Sequence, residues 1–188
     1  LIFDETEGYN SPSEVNTKPL EEVRTNAIKE FHFPRQGKKP HRALSDFFHS
    51  DRDDVIALTC VSAGGKLSDA ERVIYDAGNY TEYYQFHGLG VELAEALAEI
   101  AHKQVRLDLN IAEGEKPSLA DVQMSKYQGS RYSFGYAACP DLELNRPLFD
   151  LLKPEEFGIE LSETFQIHPE QSTSALVVYH PNATYYNI

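Results

Sequence analysis

Leu89-Gly90-Val91-Glu92-Leu93-Ala94-Glu95-Ala96-Leu97-Ala98-Glu99-Ile100-Ala101-His102-Lys103-Gln104-Val105-Arg106 is the stretch whose reading decides the fold class. Leu89, Leu93, Ala96, Leu97, Ile100 and Val105 recur at helical spacing near one face, while Glu92, Glu99 and Lys103 fall largely outside it. The spacing predicts an amphipathic helix over 89–106. Just upstream, Ser68-Asp69-Ala70-Glu71 has the form of a capping box, in which the serine hydroxyl accepts from a backbone amide and the glutamate reaches back. That motif predicts a second helix starting at Asp69. Before it, Val55 to Val61 follows the acidic pair Asp53-Asp54 and is apolar and β-branched enough for a buried strand, closed by Ala63-Gly64-Gly65. Leu20 to Glu30 suits helix or strand equally. Residues 1–30 read as an irregular N-terminal segment that opens on a short strand, Leu1 to Phe3, followed by a polar loop.

Downstream, residues 107–117 have loop chemistry, and Ser118 can cap a short helix running to about Tyr127 and ended by Gly129. Residues 129–144 show no regular period. Asn145 can cap a further helix with Pro147 in its first turn, and Lys153-Pro154 stops it. Ile159 to Ile167 and Ala175 to Tyr179 are strand candidates, and Tyr185 to Ile188 can add an edge strand. Helices interleaved with non-repeating strands indicate an α+β fold, and 188 residues suit a single domain spanning 1–188.

Composition excludes several function classes. The net charge of −13 repels phosphate backbones, which argues against nucleic acid as a partner. The longest apolar runs, such as Val55 to Leu58 and Ala175 to Val178, fall far short of the roughly 20 residues of a membrane span. Cys60 and Cys139 are far apart, and the histidines His32, His41, His49, His87, His102, His168 and His180 form no metal-ligand spacing, so neither a disulfide framework nor a metal site is expected. A reducing cytoplasm fits that cysteine usage. Cys139 reads as a small packed residue, and His168 and His180 as loop hydrogen-bonding groups. Arg35, Lys38, Lys39, His41 and Arg42 form a local basic cluster that could dock an acidic protein or simply be a solvated loop. The chain begins at Leu1 and carries no secretory signal pattern, so it reads as a fragment.

The least ordinary segment is Tyr127-Gln128-Gly129-Ser130-Arg131-Tyr132-Ser133-Phe134-Gly135-Tyr136-Ala137-Ala138-Cys139-Pro140. Arg131 can bind a carboxylate through two parallel donors, Gly135 lets the backbone approach a ligand, and the aromatics can form a flat wall. A surface turn with packed aromatics is the other reading of the same residues.

Arg131-x-x-x-Gly135-Tyr136, followed by Ala138-Cys139-Pro140-Asp141, resembles the central motif of the activation domain of cobalamin-dependent methionine synthase. The likeness continues in order through Phe31 to Gln36, Ala43 to Phe47, His87 to Glu99, Leu161-Ser162-Glu163, His168 to Ser172, His180-Pro181 and Tyr185-Tyr186. It spans roughly residues 31–188 and is N-terminally incomplete. The resemblance implies a mixed, mainly antiparallel twisted sheet with flanking helices, in the C-terminal part of that domain. It also implies binding of S-adenosylmethionine and methylation of a reduced cobalamin held by a separate domain, which returns oxidised cob(II)alamin to methylcobalamin within methionine biosynthesis. Such a chain is part of a methyltransferase and is not expected to be active alone; its partners are the cobalamin-binding domain and flavodoxin or a similar reductant.

Carried onto matching positions, Arg131 would hold the methionine carboxylate and the backbone around Ser133 and Gly135 would meet the adenine side. Glu95 would favour the cationic groups, and Tyr185 would reach the cofactor with Tyr186 beside it. Tyr136 would support the loop. The family's N-terminal acidic ligand residue has no counterpart in this chain. A stand-alone module that binds S-adenosylmethionine or a corrinoid without turnover is the alternative reading.

Overall fold

The computed structural model describes residues 2–5, 28–49, 54–116 and 118–188. Most of the N-terminal loop and the larger part of the 20–30 segment lie outside the described residues. The first strand, β1 (Ile2–Glu5), pairs in parallel with β2 (Glu30–Phe33). Then follow β3 (Ala57–Ser62), α1 (Gly65–Asp76), α2 (Tyr80–Asp108), α3 (Leu119–Gln123), β4 (Ser130–Tyr132) and α4 (Asn145–Leu152). A small hairpin, β5 (Glu160–Leu161) with β6 (Ile167–His168), precedes β7 (Ser172–Val178). The main sheet is antiparallel in the order β3-β7-β4. The expected α+β class with flanking helices and an antiparallel sheet is what the structure has.

Strand β7 is central, and Ala175, Leu176, Val177 and Val178 are all buried, so both faces of the sheet are covered. The faces separate by the strand period of two. Leu176 and Val178 join an aromatic core with Phe31, Phe33, Phe47, Tyr132, Phe134 and Phe149. Ala175 and Val177 fall outside that cluster, on the side where α2 packs over β3 and β7. Because β4 pairs Arg131 with Val177 and Tyr132 with Leu176, register sends Tyr132 into the core and Arg131 toward α2.

Several sequence expectations are corrected. The long helix runs from Tyr80 to Asp108, and the face it buries is not the leucine-rich one. Gly90, Ala94, Ala98, His102 and Arg106 are buried, a row at four-residue spacing. Leu89 and Ile100 remain 63% and 66% exposed, and Leu93 is exposed as well. At 3.6 residues per turn the two rows lie on opposite sides of the helix. Small residues win because the contact is close: a Cβ on Gly90 would stand 2.6 Å from Leu67 Cδ2 and 2.8 Å from Gln171 Cγ.

Helix α1 begins four residues earlier than the capping box predicts, with Gly64 as its cap at φ +90°. The Ser68 hydroxyl is instead donated to Gln171 Oε1 at 2.7 Å. Asn145 does not cap α4 either; its amide donates to the Phe165 carbonyl and accepts from Ser174 Oγ. Ser118 does cap α3, but that helix ends at Gln123. Residues 130–132 are strand rather than irregular loop, because β7 supplies their hydrogen-bonding edge. Residues 185–188 add no strand; the extended candidate over 159–167 contracts to the two short arms of the β5–β6 hairpin.

The buried row makes a testable contrast. Replacing Ala98 by Leu is expected to cost about 1–3 kcal/mol through overpacking. Replacing Ile100, two residues on, apolar and on the opposite side of the helix, by Gln is expected to cost less than about 0.5 kcal/mol. Urea unfolding of the two variants measures both, and the reverse order would place the core on the other face of α2.

Candidate functional site

The strand register brings Arg131 to the wall of a cavity of about 560 Å³ between α2, β4 and the chain's C-terminal segment. Arg131 Nη2 donates to Glu95 Oε2 at 2.8 Å and lies 3.0 Å from Glu99 Oε1. Glu95 and Glu99 are one helical turn apart on α2, so both reach the same guanidinium. The other Glu99 oxygen accepts from the Tyr127 hydroxyl at 2.9 Å. Burial, and then this bond to a carboxylate, raises the Tyr127 pKa.

Tyr127 is fixed by two residues of the buried row. The Arg106 guanidinium lies 4.1 Å from its ring centroid, and the His102 ring meets it edge-on at 5.2 Å. Arg106 also donates to the Gln128 carbonyl at 2.8 Å and pairs with Glu115, so it ties the segment leading into β4 to the helix. His102 is 1% exposed and, among the described residues, neither ring nitrogen has a hydrogen-bond partner. Burial first, then the charges of Arg106 and Arg131, push its pKa down to about 4, and the imidazole stays neutral.

The far wall comes from the C-terminal segment, which contributes Pro181, Ala183, Thr184 and Tyr185. Side-chain bonds to backbone hold it: Tyr132 donates to the Thr184 carbonyl at 2.9 Å and Gln128 to the Tyr179 carbonyl at 3.0 Å. Tyr185 stacks on Tyr132, with centroids 6.2 Å apart, is 51% exposed and lines the cavity.

Arg131, Glu95, Ser133, Tyr136 and Tyr185 therefore meet around one cavity. Gly135 does not line it; it lines a neighbouring cavity of about 500 Å³ that shares Ser133 and Tyr136 with the first. Gly135 is required by its own turn: its φ is +83° and an added Cβ would stand 2.7 Å from Leu142 Cδ2. Tyr136 is exposed rather than packed against its loop. Tyr186 turns into the core, 8% exposed, and burial raises its pKa. The residues that sequence reasoning left out of the site are Glu99, His102 and Tyr127. The four-residue step from Glu95 to Glu99 and the three-residue step on to His102 were a usable signal once the true inner face was known, whereas Tyr127, off the helix, had none.

Cys139 is buried, and burial pushes its thiol up to about 12, as fits a packing residue. His180 accepts a hydrogen bond from the Asn182 amide at 3.1 Å. The basic cluster is partly spent on internal ties: Arg35 forms a two-pronged pair with Asp46, and Arg42 donates to Thr184 Oγ1. Among the described residues, no group of three or more His, Cys, Asp or Glu is placed to hold a metal, and no helix is long and apolar enough to cross a membrane.

The family model described as the vitamin B12 dependent methionine synthase activation domain matches residues 9–188. The chain belongs to this activation domain family. Methionine synthase of Mycobacterium tuberculosis is 38% identical over 172 residues, which is 84% of this chain and 14% of that protein. The Mycobacterium leprae enzyme matches with the same identity and coverage. A crystal structure of the MetH reactivation domain bound to AdoHcy superposes with a TM-score of 0.80 at 29% identity, covering 88% of this chain and 54% of that one. This activation domain chain thus spans a small part of the methionine synthases it matches.

The neutral His102 sets a pH dependence. In the unfolded chain its imidazole titrates near 6.5, and in the fold only near 4. Between those values the unfolded state binds a proton that the folded state does not, so stability rises with pH through the window and is lost on acidification. Thermal midpoints measured between pH 7 and 4 are expected to fall, and His102→Gln to flatten part of that fall. An unchanged slope would mean His102 is not held neutral.

Proposed function

We propose that the chain is the C-terminal part of an activation domain that binds S-adenosylmethionine in the Arg131 cavity and presents it to cobalamin carried by another domain of the same enzyme. The observation that carries this reading is a guanidinium fixed by two carboxylates in a cavity with aromatic walls. It is supported by the family and by the related solved domain that holds AdoHcy. A cavity of about 560 Å³ is within the usual range for such ligands, roughly 300–1,000 Å³.

Arg131 binds the amino-acid carboxylate, and Glu95 takes the ammonium. The backbone near Ser133 and the edge shared with the second cavity receive the adenine side, with Gly135 and Tyr136 beyond it. Tyr185 faces the cobalamin side, and Tyr186 supports it from the core. When bound, the sulfonium ligand supplies an electrophilic methyl group, which a reduced cobalamin accepts while the bonding pair stays on sulfur. The residues here need supply no acid, base or nucleophile, because displacement of this kind depends on distance, alignment and exclusion of water. The chain's role is then to bind, orient and shield within a cytoplasmic methyltransferase, with flavodoxin or a similar protein as the electron source. It does not turn over by itself.

Titration calorimetry of the chain with S-adenosylmethionine tests this reading. Arg131→Ala is expected to weaken binding by about 1.5–3 kcal/mol, the worth of a charge-assisted pair of hydrogen bonds. Equal binding by the parent and the variant would remove the carboxylate from Arg131.

A further inference from the structure

The charges lining the Arg131 cavity do not cancel. Among the described residues, the charged groups on its wall are Arg131, Glu95 and Glu99, giving a net charge of −1 with His102 neutral. Of the cations that touch lining residues from outside, Arg106 is engaged by Glu115 and the Gln128 carbonyl, and Arg42 donates to Thr184 Oγ1. Lys126, just after α3, lies 3.7 Å from Asp121. One carboxylate is enough to neutralise Arg131, and Glu95 makes the directed hydrogen bond. Glu99 is the surplus. It is also the less exposed of the two, 28% against 48% for the side chain, and the Tyr127 hydroxyl holds it in place, so solvent screens it less.

We propose that Glu99 is a specificity-determining residue through which the cavity distinguishes the methyl donor from its demethylated product by charge. This rests on the reading of the cavity as an S-adenosylmethionine site. The donor carries a carboxylate, an ammonium and a sulfonium, and is a net monocation. Once the methyl group has left without its bonding pair, the sulfur is a neutral thioether and the product is a net-neutral zwitterion. Both ligands offer the same carboxylate to Arg131 and the same ammonium to Glu95. Only the donor brings the additional positive charge that balances Glu99. The excess carboxylate therefore favours the donor and eases release of the product, without any contact that differs in shape.

The test is calorimetric titration of the full chain with S-adenosylmethionine and with S-adenosylhomocysteine, for the parent, Glu99→Gln, Glu99→Asp and Arg131→Ala, at low and at high salt. The parent is expected to prefer the sulfonium ligand by roughly fivefold to tenfold at low salt, the scale of one charge pair at a partly exposed site. High salt should shrink that preference. Glu99→Gln is expected to remove most of it, chiefly by weakening the donor, whereas Glu99→Asp, which keeps the charge, should retain it. Circular dichroism checks that each variant is folded; if Glu99→Gln is not, the salt dependence and Glu99→Asp still decide. A parent with equal affinity for both ligands, or a Glu99→Gln ratio equal to the parent's, overturns the proposal while leaving the site intact. Binding of neither ligand, or an Arg131→Ala variant that binds both as well as the parent, overturns the site reading and this proposal with it.

Discussion

Helix α2 lies close against α1, β3 and β7 because the row it presents to them is built from Gly90, Ala94 and Ala98, side chains small enough for the helix to approach. Everything at the cavity depends on that approach. It sets Glu95 and Glu99 within hydrogen-bonding reach of a strand arginine, and it buries His102 and Arg106 one and two turns further along, where they fix Tyr127. A larger residue in the row would lift the helix, and the three charged groups would part before the aromatic core on the other side of the sheet was disturbed.

The sheet register is the second constraint. Adjacent residues of β4 face opposite ways, so Tyr132 anchors the strand in the aromatic core while Arg131 meets the helix. Tyr132 also holds the C-terminal segment through its hydroxyl and its ring, which places Tyr185 opposite the arginine. Burial pushes the Tyr132 hydroxyl up to about 12, so this tie stays protonated and donating at any physiological pH. Cavity wall and core are thus two faces of one short strand.

Electrostatics at the site follow from burial more than from formal charge. The chain as a whole is strongly acidic, yet the cavity holds an arginine flanked by two glutamates and a histidine made neutral by its surroundings. A ligand that combines one anionic and two cationic groups suits such a lining better than a simple anion or cation would.

The sequence by itself determined the α+β class, the long helix, the central apolar strand and the family, because helical period, β-branched runs and the Arg131 to Asp141 motif are local or short-range signals. It also singled out Arg131, Glu95 and Tyr185, which the structure brings to one cavity. Only the tertiary structure decided which side of α2 is inside, because hydrophobicity favours leucine and close packing favours glycine and alanine, and composition cannot say how near the neighbouring element comes. The same distance decided that Ser68 and Asn145 serve partners far away in the chain rather than their own helices. It decided as well that Glu99, His102 and Tyr127 belong to the cavity. Their roles are relations between segments, and such relations exist only once the sheet has set the register.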